Sequence, residues 1–431
     1  MNSEFVSRVK TYFKSDSDLF LDKLNEPCTQ GFFLNTKKAD IDTIFSIIDF
    51  DYLKSDLTKS SFYHNSDNIG KTKAYELGLI YPQEIAASLP ASFVDTDGIR
   101  TIVDMCASPG GKSINILNRL DNDVLLIANE YNHTRASVLS SNFERLGLDN
   151  VIITNKNCND LASQLEGYAD LVILDAPCSG EGMIRKYPEI LNDYSIKNIN
   201  HLSNIQTDLL ENAYSILNEN GQLLYSTCTY SLEEDEDQIK NFLSKHSDIS
   251  IINLGTNKYS YLDGTLKFSP INNTEGQFIC LMRKNGVSSK TNIKYLKSIK
   301  EKLVDEYITS NLDISDYYLY KYNDYFYLSF IPLPDLGRNI MKLGICVGEI
   351  KNKRFEPSHN LYRSNLLIGK YKYIYSLNDT EYADFVSGKE IKTKLENSYY
   401  QLTYNDLSIG FGKCSNNTIK NKYPKGLRKI N

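Results

Sequence analysis

Leu171-Val172-Ile173-Leu174-Asp175-Ala176-Pro177-Cys178-Ser179-Gly180-Glu181-Gly182 is the stretch that decides the fold. Four consecutive apolar residues read as a short strand buried on both faces, and the polar, glycine-bearing segment after them reads as the loop leaving it. In an open α/β sheet such a loop borders the ligand crevice. Fifty residues on, Gln222-Leu223-Leu224-Tyr225-Ser226-Thr227 repeats the pattern and ends in Cys228-Thr229-Tyr230. Two cysteines, each just past the C-terminal end of a strand, are thereby placed to face one crevice.

Upstream, residues 101–103 form a strand that ends in Asp104-Met105-Cys106-Ala107-Ser108-Pro109-Gly110-Gly111-Lys112-Ser113 and opens a helix through Ile116 and Leu120. Residues 124–127 are the next strand, with Glu130 just past its end and a helix through Arg135, Leu139 and Phe143 to Gly147; residues 151–153 are the third, followed by Asp160. A helix over residues 199–217 places Leu202, Ile205, Leu209, Ala213 and Ile216 on one face, with Gly221 as its stop. This strand–helix alternation predicts a doubly wound, mostly parallel α/β sheet, to which residues 266–268 and 277–283 add an antiparallel pair.

Around that core the chain divides into residues 1–75, a small α/β appendage; 76–284, the catalytic domain; 291–365, an intermediate domain; and 366–431, a mostly β module. Two short helices open the chain, one burying Phe5, Val9, Tyr12 and Phe13 and the next Leu19, Phe20 and Leu24. The composition of residues 285–290 is that of a linker, and residues 345–350 and 366–375 read as strands.

At 431 residues and net charge −6, whole-surface attraction to nucleic acid is disfavoured, but residues 351–431 hold 15 Lys and Arg against 7 Asp and Glu. The acidic run Glu233-Glu234-Asp235-Glu236-Asp237 reads as charge stabilising a helix start. No stretch reaches the roughly 18 apolar residues of a membrane span, and the first residues lack the apolar core of a secretory signal, so a cytoplasmic protein is expected. The eight cysteines include no CxxC and should stay reduced, free to pack or to react.

The Gly110-Gly111 turn lets backbone approach a ligand closely, yet it is neither GxGxxG nor a phosphate-binding P-loop. Glu130 can accept both hydroxyls of a ribose, Asp160 can accept from an adenine amino group, and with Asp104 they suit a nucleoside without a diphosphate. S-adenosylmethionine has that form. The same residues also fit an ordinary turn with solvated acidic strand ends.

These motifs together resemble the Nop/Sun family of RNA cytosine-5 methyltransferases, in its bacterial small-subunit ribosomal RNA branch. The resemblance rests on residues 104–112, on residues 175–182 continued by Met183-Ile184-Arg185-Lys186, and on Ser226-Thr227-Cys228-Thr229 followed by Glu233-Glu234. The closing Lys420-Asn421-Lys422-Tyr423-Pro424-Lys425-Gly426-Leu427-Arg428 resembles the end of that branch's PUA-like RNA-binding domain. It implies an S-adenosylmethionine-dependent methyltransferase fold and methyl transfer to C5 of cytosine in 16S ribosomal RNA. Cys228 is then the nucleophile, Cys178 the residue that helps release the product, and Asp175 the holder of the cytosine edge. The implied cofactor set is Cys106, Ala107, Ser108, Pro109, Gly110, Gly111, Lys112, Glu130, Arg135, Asp160 and Asp175, with no metal.

The implied partner is ribosomal RNA or the small ribosomal subunit, with no membrane, and a monomer is expected. Arg185 and Lys186 are candidates for the substrate backbone, and Lys112 for lowering the thiol pKa of Cys228. Arg354, Lys372, Lys413, Lys420, Lys422, Lys425, Arg428 and Lys429 are the candidate C-terminal RNA face. Two positions depart from the family pattern: Phe33 stands where an arginine is usual and Ile271 where a histidine is usual. The same chemistry on transfer RNA, and a non-catalytic ribosome-assembly factor, are the alternative readings.

Overall fold

The computed structural model describes residues 2–255, 258–286 and 293–428. Its centre is a nine-stranded sheet in which Leu217–Thr227, Ala169–Asp175, Thr101–Asp104, Leu125–Asn129 and Val151–Thr154 lie side by side and parallel. The sheet is apolar on both faces: Val103, Ile127 and Leu174 point into one core, and Ile102, Leu126 and Ile173 into the other. Helices Gly111–Leu117 and His133–Leu146 cover one face, while Cys158–Gln164, Ile196–Ile216 and Glu236–Lys245 cover the other. This is the doubly wound methyltransferase-type fold, and its order reverses at Thr101–Asp104, where the crevice is expected to open.

Gln277–Lys284 runs antiparallel to Leu217–Thr227 and pairs in turn with Leu266–Phe268 and with Ile249–Ile251, a strand the sequence pattern did not single out. At the far edge, Ile340–Leu343 from the intermediate segment pairs antiparallel with Val151–Thr154, so the sheet of the catalytic unit is completed from beyond residue 284. On the N-terminal side, Ile80–Pro82 pairs with Gly31–Leu34 in a separate four-stranded sheet, which carries the appendage past residue 75. The proposed linker at residues 285–290 lies mostly outside the described residues, as does the boundary at 291.

The intermediate segment folds as helix Lys302–Asn311 against the four strands Tyr318–Tyr322, Tyr325–Ser329, Ile345–Lys351 and Arg354–Pro357. The last segment is a five-stranded sheet with helix Asp379–Ser387 packed on it. Residues 366–375 are not one strand: Asn365–Leu367 is a helical turn, Gly369 takes φ +73°, Tyr371 makes a single bridge to Leu312, and the strand is only Ile374–Ser376. The apolar run there is used for a turn that buries Leu367 and leaves Ile368 52% exposed.

Two further expectations are corrected and a third is extended. Leu19 is exposed, while Phe20 beside it fills the core. The long helix ends at Ile216, five residues before Gly221; Gly221 is needed because a Cβ there would sit 3.0 Å from the Ala169 carbonyl. The acidic run does open a helix, Glu236–Lys245, and is in addition an internal network: Glu234, Asp235 and Glu236 are all fully buried, with Lys267 Nζ 2.9 Å from Asp235 and 2.8 Å from Glu236.

Candidate active site

Five strand ends build the crevice. After Thr101–Asp104 the chain turns sharply, with the Met105 amide bonded to the Ile173 carbonyl and the Ala107 amide to the Asn129 carbonyl. Gly110 takes φ +111°, and a Cβ there would meet Ile114 and Leu139 side chains at 2.9 and 3.1 Å; one on Gly111 would meet the Gln83 amide at 2.4 Å. The positive φ is what calls for glycine at 110, and the missing Cβ at 111 leaves room for the Gln83 side chain. Tyr81 and Asn142 each donate to the Pro109 carbonyl, fixing the turn from outside. Burial pushes the Asp104 carboxyl up to about 7 although it accepts from Ser113 and the Cys106 amide; the nearby Asp175 raises it further.

The crevice has a volume of about 710 Å³ and is bordered by Cys106, Ser108, Glu130, Arg135, Asp175, Cys178 and Cys228, with Asn157, Cys158, Asp208 and Asn212 as further walls. Glu130 is buried, accepts from the Asn132 amide at 2.8 Å and lies 3.4 Å from Arg135, whose guanidinium donates to the Ser108 carbonyl at 2.8 Å. Ala107, Pro109, Gly110, Gly111 and Lys112 support the wall from behind instead of lining it. Asp160 is not brought in: it is exposed within helix Cys158–Gln164, while Asn157, which caps that helix, and Cys158 face the cavity. A nucleoside fits this donor set, with a buried acid for its hydroxyls and a glycine turn closing from below. A larger groove of about 970 Å³, lined by Arg100, Asp123 and Lys370 among others, lies at the opposite, N-terminal edge of the strands and holds no thiol.

At the deep end, the Cys178 and Cys228 sulfurs are 3.2 Å apart. The hydrogen bond with Cys228 and burial push the Cys178 thiol well above the ordinary range. Asp175 lies beside them, accepting from Ser226 at 2.8 Å and paired with Lys112 at 2.7 Å. The charge of Lys112 is thus directed at Asp175. The loops are stitched together: the Gly182 amide donates to the Cys228 carbonyl, and the Gly276 amide to the Gly182 carbonyl. A Cβ on Gly182 would lie 2.5 Å from the Gly276 Cα.

The expectation for Arg185 is corrected. Its side chain is 3% exposed and clamps Glu275 through Nε at 3.0 Å and a second nitrogen at 2.7 Å, so it braces the loop; Lys186 beside it is exposed. Phe33 packs on Tyr81, and Ile271 joins the cluster around Phe5 and Tyr230; both departures are filled by core packing. Sequence reasoning missed Ser179, Thr229 and Ser226 beside the reagents and Gln206 behind them, although the first three are adjacent to motif residues. Lys372, Lys413, Lys420, Lys422 and Lys425 are exposed; Lys429 lies outside the described residues. Among the described residues no helix is long and apolar enough to cross a membrane.

Two family models match: 16S rRNA methyltransferase RsmB/F over residues 93–283 and the methyltransferase RsmF PUA domain over residues 372–429. The chain is 28% identical over 460 residues to the ribosomal RNA small subunit methyltransferase F of Vibrio vulnificus (strain YJ016), covering 98% of this chain and 96% of that protein. Among solved structures it resembles a methyltransferase homolog protein from Pyrococcus horikoshii, at 25% identity and TM-score 0.58 over 66% of this chain and 95% of the other. It also shares the fold of NSun6 from Pyrococcus horikoshii, at 21% identity and TM-score 0.59, over 66% and 98%. With S-adenosylmethionine as its cofactor, the chain belongs to the RsmB/F-type, PUA-bearing bacterial branch of the Nop/Sun family of RNA cytosine methyltransferases.

Proposed function

We propose that the enzyme methylates C5 of cytosine in small-subunit (16S) ribosomal RNA through a covalent bond between Cys228 and C6. The observation that carries this reading is the pair of thiols 3.2 Å apart in one crevice, with Asp175 held beside them. Cytosine C5 is a weak nucleophile; addition of the Cys228 thiolate to C6 makes it enamine-like and divides one hard step into easier ones. Asp175, oriented by Lys112 and Ser226, accepts from the cytosine amino group and sets the ring over Cys228. S-adenosylmethionine supplies the electrophilic methyl when bound, and Glu130, with Arg135, Cys106 and Ser108, would hold its nucleoside. Cys178, as its thiolate, then takes the C5 proton, the C–H electron pair forms the C5–C6 double bond, and Cys228 leaves with the C6–Sγ pair as thiolate.

The base must leave its stack to reach thiols in a crevice, and the exposed C-terminal lysines provide the binding that offsets this cost. The name of the Vibrio relative, matched along nearly its whole length, supports small-subunit ribosomal RNA as substrate, and a cytoplasmic site of action goes with it. The test is radiolabelled methyl transfer to naked small-subunit RNA, assembled small subunits, large-subunit RNA and transfer RNA, with the product mapped. 5-Methylcytosine confined to small-subunit RNA is expected. Label in transfer RNA would move the substrate, and no label on any RNA despite cofactor binding would replace catalysis with an assembly role.

A further inference from the structure

Each of the two cysteine loops carries a buried carboxyl that is bound by the other loop. Glu181, three residues after Cys178, accepts from the Tyr230 amide at 2.8 Å, Thr229 Oγ1 at 2.9 Å and Ser231 Oγ at 3.1 Å, all on the Cys228 loop. Glu234, six residues after Cys228, accepts from the Ser179 amide at 2.9 Å on the Cys178 loop and from Gln206 at 3.0 Å, and its other oxygen contacts Ser179 Oγ. Both carboxyls are fully buried. Ser179 Oγ and Thr229 Oγ1, each adjacent in sequence to a thiol-bearing residue, lie 2.7 Å apart and join the two halves.

Proton counting gives the chain a direction. Three contacts, Glu234 with Ser179, Ser179 with Thr229, and Thr229 with Glu181, need three protons, and the two hydroxyls supply two. The third comes from Glu234, because Glu181 already accepts from the Tyr194 hydroxyl, the Tyr230 amide and Ser231 Oγ besides Thr229; Glu234 then donates to Ser179, Ser179 to Thr229, and Thr229 to Glu181. Burial pushes the Glu234 carboxyl up to about 7, in keeping with that assignment.

We propose that Glu234, in its protonated form, and Glu181 are positioning residues whose reciprocal clamp sets the spacing of the Cys178 and Cys228 thiols for product release. The proposal rests on the two-cysteine reading above. Attack on C6 asks for Cys228 alone, which its own strand and the Gly182 amide already anchor. Release asks for both thiols at once: Cys178 removes the C5 proton while the C6–Sγ bond of Cys228 breaks on the neighbouring carbon. A misplacement of about 1 Å costs on the order of 100-fold in such a step, so release is the step that a loosened clamp damages.

The experiment compares the single-turnover rate of the protein–RNA adduct, read on denaturing gels, with steady-state methylation by the full-length enzyme on small-subunit RNA. Glu234→Ala and the milder Ser179→Ala should form adduct at near the wild-type rate yet turn over about 10-fold or more slowly, so that adduct accumulates. Glu234→Gln, which keeps an N–H donor toward Ser179, should restore the wild-type ratio. An unchanged ratio of adduct formation to turnover in folded Ser179→Ala and Glu234→Ala, or a Glu234→Gln as defective as Glu234→Ala, would overturn the clamp. Cys178→Ala and Cys228→Ala run in parallel separate the two ideas. If Cys178→Ala fails to accumulate adduct, or Cys228→Ala still forms it, the two-cysteine reading is what has failed.

Discussion

Behind the crevice the Lys267 ammonium is buried against two carboxylates, those of Asp235 and Glu236, whereas at the junction of the N-terminal, catalytic and C-terminal segments a buried guanidinium is held by backbone. There Arg363 donates to the carbonyls of Glu76 at 3.0 Å, Arg145 at 2.6 Å and Ser408 at 3.0 Å, one from each segment. Burial lowers the Arg363 pKa from its ordinary value, while the carboxylates around Lys267 raise that of the lysine despite its burial. The first arrangement keeps an acidic loop rigid beside reactive thiols. The second fixes three segments without an ion pair among the described residues, by saturating carbonyls at two helix ends and on one strand. Charge compensation serves the chemistry, and carbonyl satisfaction serves the assembly.

Removing one cation from each place tests that contrast. Lys267→Met leaves two buried carboxylates facing each other and should cost about 3–5 kcal/mol in denaturant unfolding. Loss of cofactor affinity in step with stability is expected, because the same loop carries Cys228. Arg363→Met orphans three carbonyls, at about 1–3 kcal/mol for the first of them. Limited proteolysis should then release the C-terminal segment before the catalytic unit is cut; simultaneous loss of both would mean that the arginine supports one core and joins nothing.

The pH dependence sharpens the chemical side. Asp104 has a native pKa of about 7 against an ordinary 3.8, so the native chain binds this proton more tightly than the unfolded one. The destabilisation it causes is absent below about pH 4, grows as pH rises toward 7 and is complete above it. Glu84, raised to about 7 by burial, acts with the same sign. Asp104→Asn should therefore gain melting temperature relative to wild type between pH 5 and pH 8, and a constant difference would show that the carboxyl does not titrate in that window.

Smaller effects are expected at the ligand walls. Glu130→Ala should raise the KM for S-adenosylmethionine about 10-fold, the equivalent of one charged hydrogen bond, and change RNA affinity little. Replacing Lys420 and Lys422 with Ala should weaken RNA binding and reduce the salt slope by about 1–2, leaving cofactor affinity unchanged. A shift in cofactor KM from the lysine pair would contradict the division between crevice and C-terminal surface.

What could be read from the chain follows the same contrast. The parallel strands and the loops at their ends were legible because a strand buried on both faces is a local apolar run and the reactive residues follow it directly, as in Leu171-Val172-Ile173-Leu174 and then Asp175 and Cys178. The acidic run was read correctly as a helix start, but its burial was not foreseen, because its partner Lys267 lies about thirty residues away on another strand and a local rule sees only the helix start. Asp160 was misplaced by one helical turn, since the reading could not tell the cap at Asn157 from the residues that follow it. Arg363 gave no signal at all: guanidinium-to-carbonyl contacts require no particular residue type on the other side. Nor could periodicity show that Ile340–Leu343 would cross over to the edge of the central sheet.

The central claim is that the two neighbouring thiols have different tasks, and the bond to the base reports it most directly. Small-subunit RNA transcribed with 5-fluorocytidine blocks loss of the C5 substituent, so the adduct formed with S-adenosylmethionine can be isolated and its attachment mapped by peptide mass spectrometry. The bond is predicted at Cys228, on a methylated base, and it should persist in Cys178→Ala and vanish in Cys228→Ala. A bond mapped to Cys178, or efficient trapping by Cys228→Ala, would contradict the account.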